Sequence, residues 1–123
     1  MKHAVLVLSD PKSGEEALGR VFNALAFAAE ADRAGDEVKI VFAGAGTRWP
    51  AELARLGHPA RALYDSVRPL VAGASCGCSD TFGARKEVEA CGLPLLRDHK
   101  LEGTSGVVSL RTLAADGFAP VTF

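Results

Sequence analysis

The amino-terminal part of the chain contains two apolar runs, HAVLVL at residues 3–8 and DEVKIVF at residues 36–42. The first run is rich in Val and Leu without polar alternation, which is typical of a strand that is covered on both faces. Between the runs, Ser13 and Glu16 have the form of a capping box, and apolar residues then recur at helical spacing as far as Gly35. This unit predicts a right-handed crossover between two parallel strands.

Helical and apolar segments continue to alternate along the rest of the chain. We expect a flexible loop at residues 44–48, a short helix that opens at Trp49, and a helix from His58 that ends or kinks at Pro69. Trp49 is a candidate for a lid or a subunit contact. The remaining segments are predicted, in order, as a cysteine-bearing strand within 72–79, a helix at 80–90, a short strand at 93–96, a helix capped by Thr104 and Ser105, and a strand at 118–122. Pro120 makes an edge position of this last strand the expected one.

These segments predict one α/β domain, residues 1–123, with a mainly parallel five-stranded sheet that is doubly wound. The chain has 48% hydrophobic and 24% charged residues, as soluble globular proteins do. Its 14 Lys and Arg residues nearly balance its 15 Asp and Glu residues, so neither a nucleic-acid nor a membrane partner is predicted. Without an export signal, we expect a cytoplasmic protein whose thiols are reduced.

Cys76 and Cys78 flank Gly77, directly before the predicted helix start at Asp80. On a short buried strand, both thiols would emerge at the carboxyl end and face the helix N-terminus. The positive end of a helix dipole lowers the pKa of a thiol, and the thiolate is the reactive form. Open α/β folds bind ligands at this edge of the sheet. The pattern therefore indicates a reactive-thiol site, with Cys76 and Cys78 as the catalytic candidates.

The stretch ALAFAAEADRAGDEVKIVF at residues 24–42 resembles the DsrE/DsrF-like family of small sulfur-relay proteins. An alanine-rich first helix runs through Gly35 into a Gly-x-x-Val strand, and a cysteine follows at the end of the third strand. The resemblance implies a flavodoxin-like three-layer sandwich and a sulfur-accepting cysteine at Cys76, or at Cys78 beside it. It also implies a homo-oligomer whose partners are sulfur donor and acceptor proteins or small sulfane compounds.

The sequence leaves two other functions open. In the first, Cys76 and Cys78 form a disulfide with each other, and the domain is a dithiol redox module. In the second, the cysteines pack in the core as small apolar residues, and the domain binds a small molecule or assembles with other chains without any chemistry.

No cofactor and no metal is predicted. The run Gly44-Ala45-Gly46 lacks the third glycine of a dinucleotide-binding fingerprint. The cysteine pair, taken with Cys91 and His99, lacks the paired spacing of a structural zinc site. Cys91 is expected to pack in the core at the end of a helix, and Arg85 is expected to form an exposed ion pair with Glu89.

Overall fold

The computed structural model describes every residue from 1 to 123. Its strands are β1 (Lys2–Val7), β2 (Glu37–Phe42), β3 (Val71–Ser75), β4 (Leu95–Leu96) and β5 (Ala119–Thr122). Its α-helices are α1 (Glu15–Arg33), α2 (Trp49–Leu53), α3 (Arg61–Val67), α4 (Cys76–Thr81), α5 (Arg85–Ala90) and α6 (Leu110–Ala115). Short 3-10 helices occupy residues 11–13, 44–48 and 68–70. No helix combines the length and the apolar composition that crossing a bilayer requires.

All five strands form one sheet in the order β4-β3-β2-β1-β5, and every neighbouring pair is parallel. Helices cover both faces, which confirms the predicted α/β architecture, a flavodoxin-like three-layer sandwich. β1 and β2 pair along their whole lengths, as the strand–helix–strand pattern predicts. β5 lies at the edge of the sheet, in agreement with Pro120. Because all strands run in one direction, their carboxyl ends share one edge.

The two faces of the sheet are covered unequally. One face carries the main core of 19 buried residues, in which α1, α2, α3 and α5 pack against side chains such as Val5, Ile40 and Phe42. The other face carries a cluster of four buried residues, Ala4, Leu6, Val41 and Phe118. The segment between β4 and β5 covers this second cluster with Val108 and Leu113. The connection from β4 to β5, which contains α6, therefore forms the layer that covers this second face of the sheet.

The predicted capping box at the start of α1 is wrong. Asp10 instead caps the 3-10 helix at residues 11–13, because its side chain accepts a hydrogen bond of 3.0 Å from the backbone N–H of Lys12. Gly14 then precedes α1 with a φ of 81°, and no side chain caps the helix. The predicted stop at Gly35 is confirmed, since α1 ends at Arg33 and Gly35 has a φ of 87°.

The segment at residues 44–48 is a 3-10 helix rather than the expected flexible loop. Gly46 lies so close to β1 that a Cβ atom on it would overlap the carbonyl oxygen of Val7. Trp49, expected as a lid or a subunit contact, is buried in the main core with 2% of its surface exposed. Its indole N–H donates to the hydroxyl of Ser9 over 3.3 Å. The segment after β2 is therefore packed against the end of β1.

The predicted helix at residues 80–90 is divided into α4 and α5, which are separated by Gly83 with a φ of 67°. The predicted cap at Thr104 and Ser105 is also wrong. Ser109 caps α6, because its hydroxyl oxygen accepts from the backbone N–H of Thr112 at 3.1 Å. The break before Pro69 is confirmed, since α3 ends at Val67 and a 3-10 helix follows.

The close approach of Gly46 to β1 predicts that Gly46→Ala destabilises the fold. The added methyl group must displace either β1 or the 3-10 helix, and overpacking of this kind costs about 1–3 kcal/mol. The matched control is Gly19→Ala within α1, where no atom lies within 4 Å of the added Cβ. Alanine favours a helix over glycine by up to about 1 kcal/mol, so this variant should be more stable. Urea unfolding measures both changes, and equal stability of the two variants would contradict the packing described for Gly46.

Candidate thiol site

Cys76 and Cys78 both lie on the first turn of α4, which begins directly after β3. The sequence placed them on the strand, facing a helix that starts at Asp80, and this part of the prediction is wrong. Ser75 is the last extended residue, and its carbonyl oxygen accepts a hydrogen bond of 2.9 Å from the Ser79 hydroxyl. The predicted position at the carboxyl edge of the sheet is nevertheless correct, because α4 starts at that edge.

The two thiols have different surroundings. Residues two positions apart on a helix point to different sides of it. Cys76 is completely buried, whereas Cys78 is partly exposed. Neither forms a disulfide, and a bond between them would require the first turn of α4 to unwind. Of the pair, Cys78 is therefore the residue that a reagent reaches first.

A loop at residues 97–109 covers Cys76, and we call it the covering loop. Its ends are joined by a pair of 2.9 Å backbone hydrogen bonds between His99 and Val107. Its carbonyl at Gly106 accepts a hydrogen bond of 2.7 Å from the backbone N–H of Gly77. The burial of Cys76 thus results from contacts between α4 and a segment that follows β4 in the sequence.

A chain of polar contacts links Cys76 to this loop. The Cys76 Sγ lies 3.2 Å from the hydroxyl oxygen of Ser105, and that hydroxyl donates to Asp80 Oδ2 over 2.6 Å. Because the hydroxyl hydrogen is directed to Asp80, the hydrogen in the contact with sulfur comes from the Cys76 thiol. Arg85 Nη1 donates to both oxygens of Asp80, at 3.1 and 3.2 Å. In the closed structure Cys76 is therefore a hydrogen-bond donor and not a free nucleophile.

The charged side chains in this series of polar contacts stabilise each other. The hydrogen bond from Ser105, followed by that from Arg85, holds the pKa of the Asp80 carboxyl below its ordinary value of 3.8. Arg85 also pairs with Glu89 at 3.1 Å, which confirms the predicted ion pair. The two carboxylates, Asp80 first, raise the pKa of Arg85. Asp80 is thus a weak base at neutral pH, and its role is to hold Ser105.

A polar cavity of about 290 Å³ lies between α4 and the tip of the covering loop. Its lining contains no apolar side chain and consists of Gly77, Asp80, Thr81, Gly103, Thr104 and Ser105. An aromatic cofactor ring would find no apolar wall there. No group of three or more His, Cys, Asp or Glu side chains is arranged to hold a metal ion.

Cys91 is separate from the site. It follows the last residue of α5 and is partly buried, and this burial raises the pKa of its thiol. Its carbonyl oxygen accepts a hydrogen bond of 2.6 Å from Arg68. It does not belong to either buried core cluster, so the predicted core packing is only partial. Cys91 therefore provides an internal control for reactions of the pair.

The sequence did not reveal Ser105 as a site residue, nor the part that Arg48 plays in holding the turn after α4. Ser105 is 29 positions from Cys76, and it was predicted only as a helix cap. Arg48 pairs with Asp10 at 2.9 Å and donates to the carbonyl oxygen of Phe82 over 3.1 Å. It thus connects the segments that follow β1 and β2 with the turn after α4. No local pattern marks either residue, because their partners are distant in the sequence.

Comparison with known proteins gives no function. No protein-family model matches the chain, and no solved structure matches it. An uncharacterized protein of Methanocaldococcus jannaschii is 27% identical to it over 89 residues, which are 72% of this chain and 73% of that protein. The resemblance to the DsrE/DsrF-like family is not tested by these comparisons and stays a prediction.

The difference in burial predicts the order in which the thiols of the pair react. In the folded protein, iodoacetamide should modify Cys78 well before Cys76, because only Cys78 is partly exposed. Fragment ions of the peptide that carries both residues distinguish the two sites. In urea, where the chain is unfolded, the two should react at similar rates. Equal rates in the folded protein would contradict the covering of Cys76.

The lowered pKa of Asp80 predicts a pH dependence of stability. A carboxyl group whose pKa is lower in the folded chain contributes to stability above its unfolded value of 3.8, and the contribution is lost as the pH falls through the folded value. Wild type should therefore be more stable than Asp80→Asn at neutral pH. The difference should disappear in acid that protonates the carboxyl group. Urea unfolding across this pH range measures it, and a difference independent of pH would count against the ionic role of Asp80.

Proposed function

We propose that this protein is a sulfur carrier or sulfurtransferase that holds sulfur as a persulfide on a cysteine of the Cys76 and Cys78 pair. The observation that carries the proposal is the position of two free thiols on one helical turn at the carboxyl edge of a parallel sheet. This edge is where open α/β folds bind their ligands. The resemblance of residues 24–42 to sulfur-relay proteins supports the same chemistry.

Cys78 is the proposed first acceptor of sulfur. It is partly exposed, whereas Cys76 is completely buried and donates its thiol hydrogen to Ser105. A sulfur donor reaches Cys78 without any movement of the covering loop. This assignment differs from the expectation that the family position corresponds to Cys76.

The proposed reaction has two steps of thiol exchange. After its thiol has released a proton to water, the Cys78 thiolate attacks the outer sulfur of a persulfide donor. A new S–S bond forms, and the S–S bond of the donor breaks with departure of the donor as a thiolate. An acceptor thiolate then attacks the outer sulfur on Cys78. The outer sulfur is transferred to the acceptor, and Cys78 is released as a thiolate. The transferred sulfur keeps its oxidation level, so no external oxidant or reductant is needed.

Donor and acceptor are proposed to be proteins or small sulfane compounds that approach the edge of the sheet that carries α4. Leu8, which follows β1 at this edge, and Leu101 in the covering loop are exposed apolar side chains. A protein partner that docks there would cover part of this apolar surface. A cytoplasmic location and a homo-oligomeric state belong to the same proposal.

A non-catalytic assembly protein is the second candidate. The complete burial of Cys76 is what this alternative expects of a core cysteine. The partial exposure of Cys78 favours chemistry instead. The dithiol redox module is the least favoured, because the two thiols diverge on α4.

Intact mass after incubation of the reduced protein with a persulfide donor tests the proposal. Wild type should gain one sulfur atom, and so should Cys76→Ser and the control Cys91→Ser. Cys78→Ser should gain it far more slowly, because Cys76 is completely buried. Absence of an adduct on folded wild type with several donors would favour the assembly protein. An adduct that is lost in Cys76→Ser but kept in Cys78→Ser would overturn the assignment to Cys78.

A further inference from the structure

We propose that the tip of the covering loop, residues 101–106, is a lid that must lift from α4 before Cys76 can react. Three contacts fasten this lid, and each of them joins the loop to α4. They are the hydrogen bonds between Cys76 and Ser105, between Ser105 and Asp80, and between the backbones of Gly77 and Gly106. These contacts hold the lid closed whether or not the protein transfers sulfur.

The closed lid packs closely against α4 and encloses Cys76. A Cβ atom built on Gly77 would already lie 3.0 Å from both the Gly106 carbonyl oxygen and Val107 Cγ1. A sulfur bonded to Cys76 would extend the side chain by about 2 Å, while the Ser105 hydroxyl lies 3.2 Å away. Because Cys76 is completely buried and does not line the polar cavity, a reagent reaches its sulfur only after the lid has lifted.

The tip is built to move as a unit. The backbone N–H and the hydroxyl of Thr104 both donate hydrogen bonds to the carbonyl oxygen of Leu101, at 3.1 Å and 2.7 Å. The hydroxyl oxygen of Thr104 also accepts from the N–H of Gly106 at 3.1 Å. These bonds lie within the tip, so they are kept when it lifts.

Lifting the tip disturbs little of the core. Its residues from Leu101 to Ser105 are exposed, and none of them belongs to a buried core cluster. The base of the loop keeps its own attachment, because the N–H of Val108 donates to the Ser75 hydroxyl over 3.1 Å. A segment that is held by a few polar bonds opens at a lower free energy than the whole protein unfolds.

If the proposed function holds, the lid decides whether Cys76 takes part in the exchange at Cys78. With the lid closed, only Cys78 is available. With the lid lifted, Ser105 no longer accepts the hydrogen of the Cys76 thiol, and the site contains two reactive thiols.

The experiment measures the reaction of Cys76 with Ellman's reagent in a Cys78→Ser, Cys91→Ser background, where it is the one thiol. Adding Ser105→Ala removes two of the three fastening contacts and should raise the rate about tenfold or more. The matched control is Glu89→Gln, which removes the other partner of Arg85 and leaves the lid contacts in place. It should leave the rate unchanged. An unchanged rate with Ser105→Ala would overturn the proposal that residues 101–106 act as a lid.

Urea distinguishes lid opening from unfolding of the whole chain. Opening of a small segment exposes little surface, so the rate should be nearly constant at low urea concentrations. A rate that rises with urea as steeply as global unfolding does would overturn the lid. Hydrogen exchange at the Gly77 amide repeats the test with all three cysteines in place, and Ser105→Ala should accelerate it. Neither measurement uses a sulfur donor, so the lid and the proposed function succeed or fail separately.

Discussion

Ser75 joins β3 to α4, and the position of both thiols depends on its hydrogen bonds. Its carbonyl oxygen accepts from the Ser79 hydroxyl at 2.9 Å, which ties the first turn of α4 to the strand. Its own hydroxyl oxygen accepts from the Val108 N–H at 3.1 Å, which attaches the covering loop. Ser75 is completely buried, so loss of either bond would leave a polar group without water. The strand, the helix and the loop are thereby fixed to one another.

This attachment explains why two cysteines only two residues apart have different properties. Because α4 starts at Cys76, the helix directs this thiol to the covering loop, where it meets Ser105. Cys78 points elsewhere and stays partly exposed. A strand would have placed both side chains on the same face, since residues two apart in a strand share one side. The helical start thus separates an accessible thiol from an enclosed one.

The fold was largely predictable because its signals are local. Neighbouring residues alone are enough to recognise the apolar runs of β1 and β2, the helix stop at Gly35 and the edge-strand signal of Pro120. The start of α4 was not predictable, because glycine, serine and cysteine favour a helix weakly. Ser105 was missed because its partners Cys76 and Asp80 are 29 and 25 positions away in the sequence. The sequence therefore identified the cysteine pair but not the contacts that distinguish its members.

Cyanolysis of the loaded protein tests most directly whether Cys78 carries transferable sulfur. Protein treated with a persulfide donor and then freed of it is mixed with cyanide, which attacks the outer sulfur and breaks the S–S bond to Cys78. The account predicts one thiocyanate per chain, return of the protein to its unmodified mass, and far less thiocyanate from Cys78→Ser. Absence of thiocyanate from wild type, or an equal yield from Cys78→Ser, would contradict it.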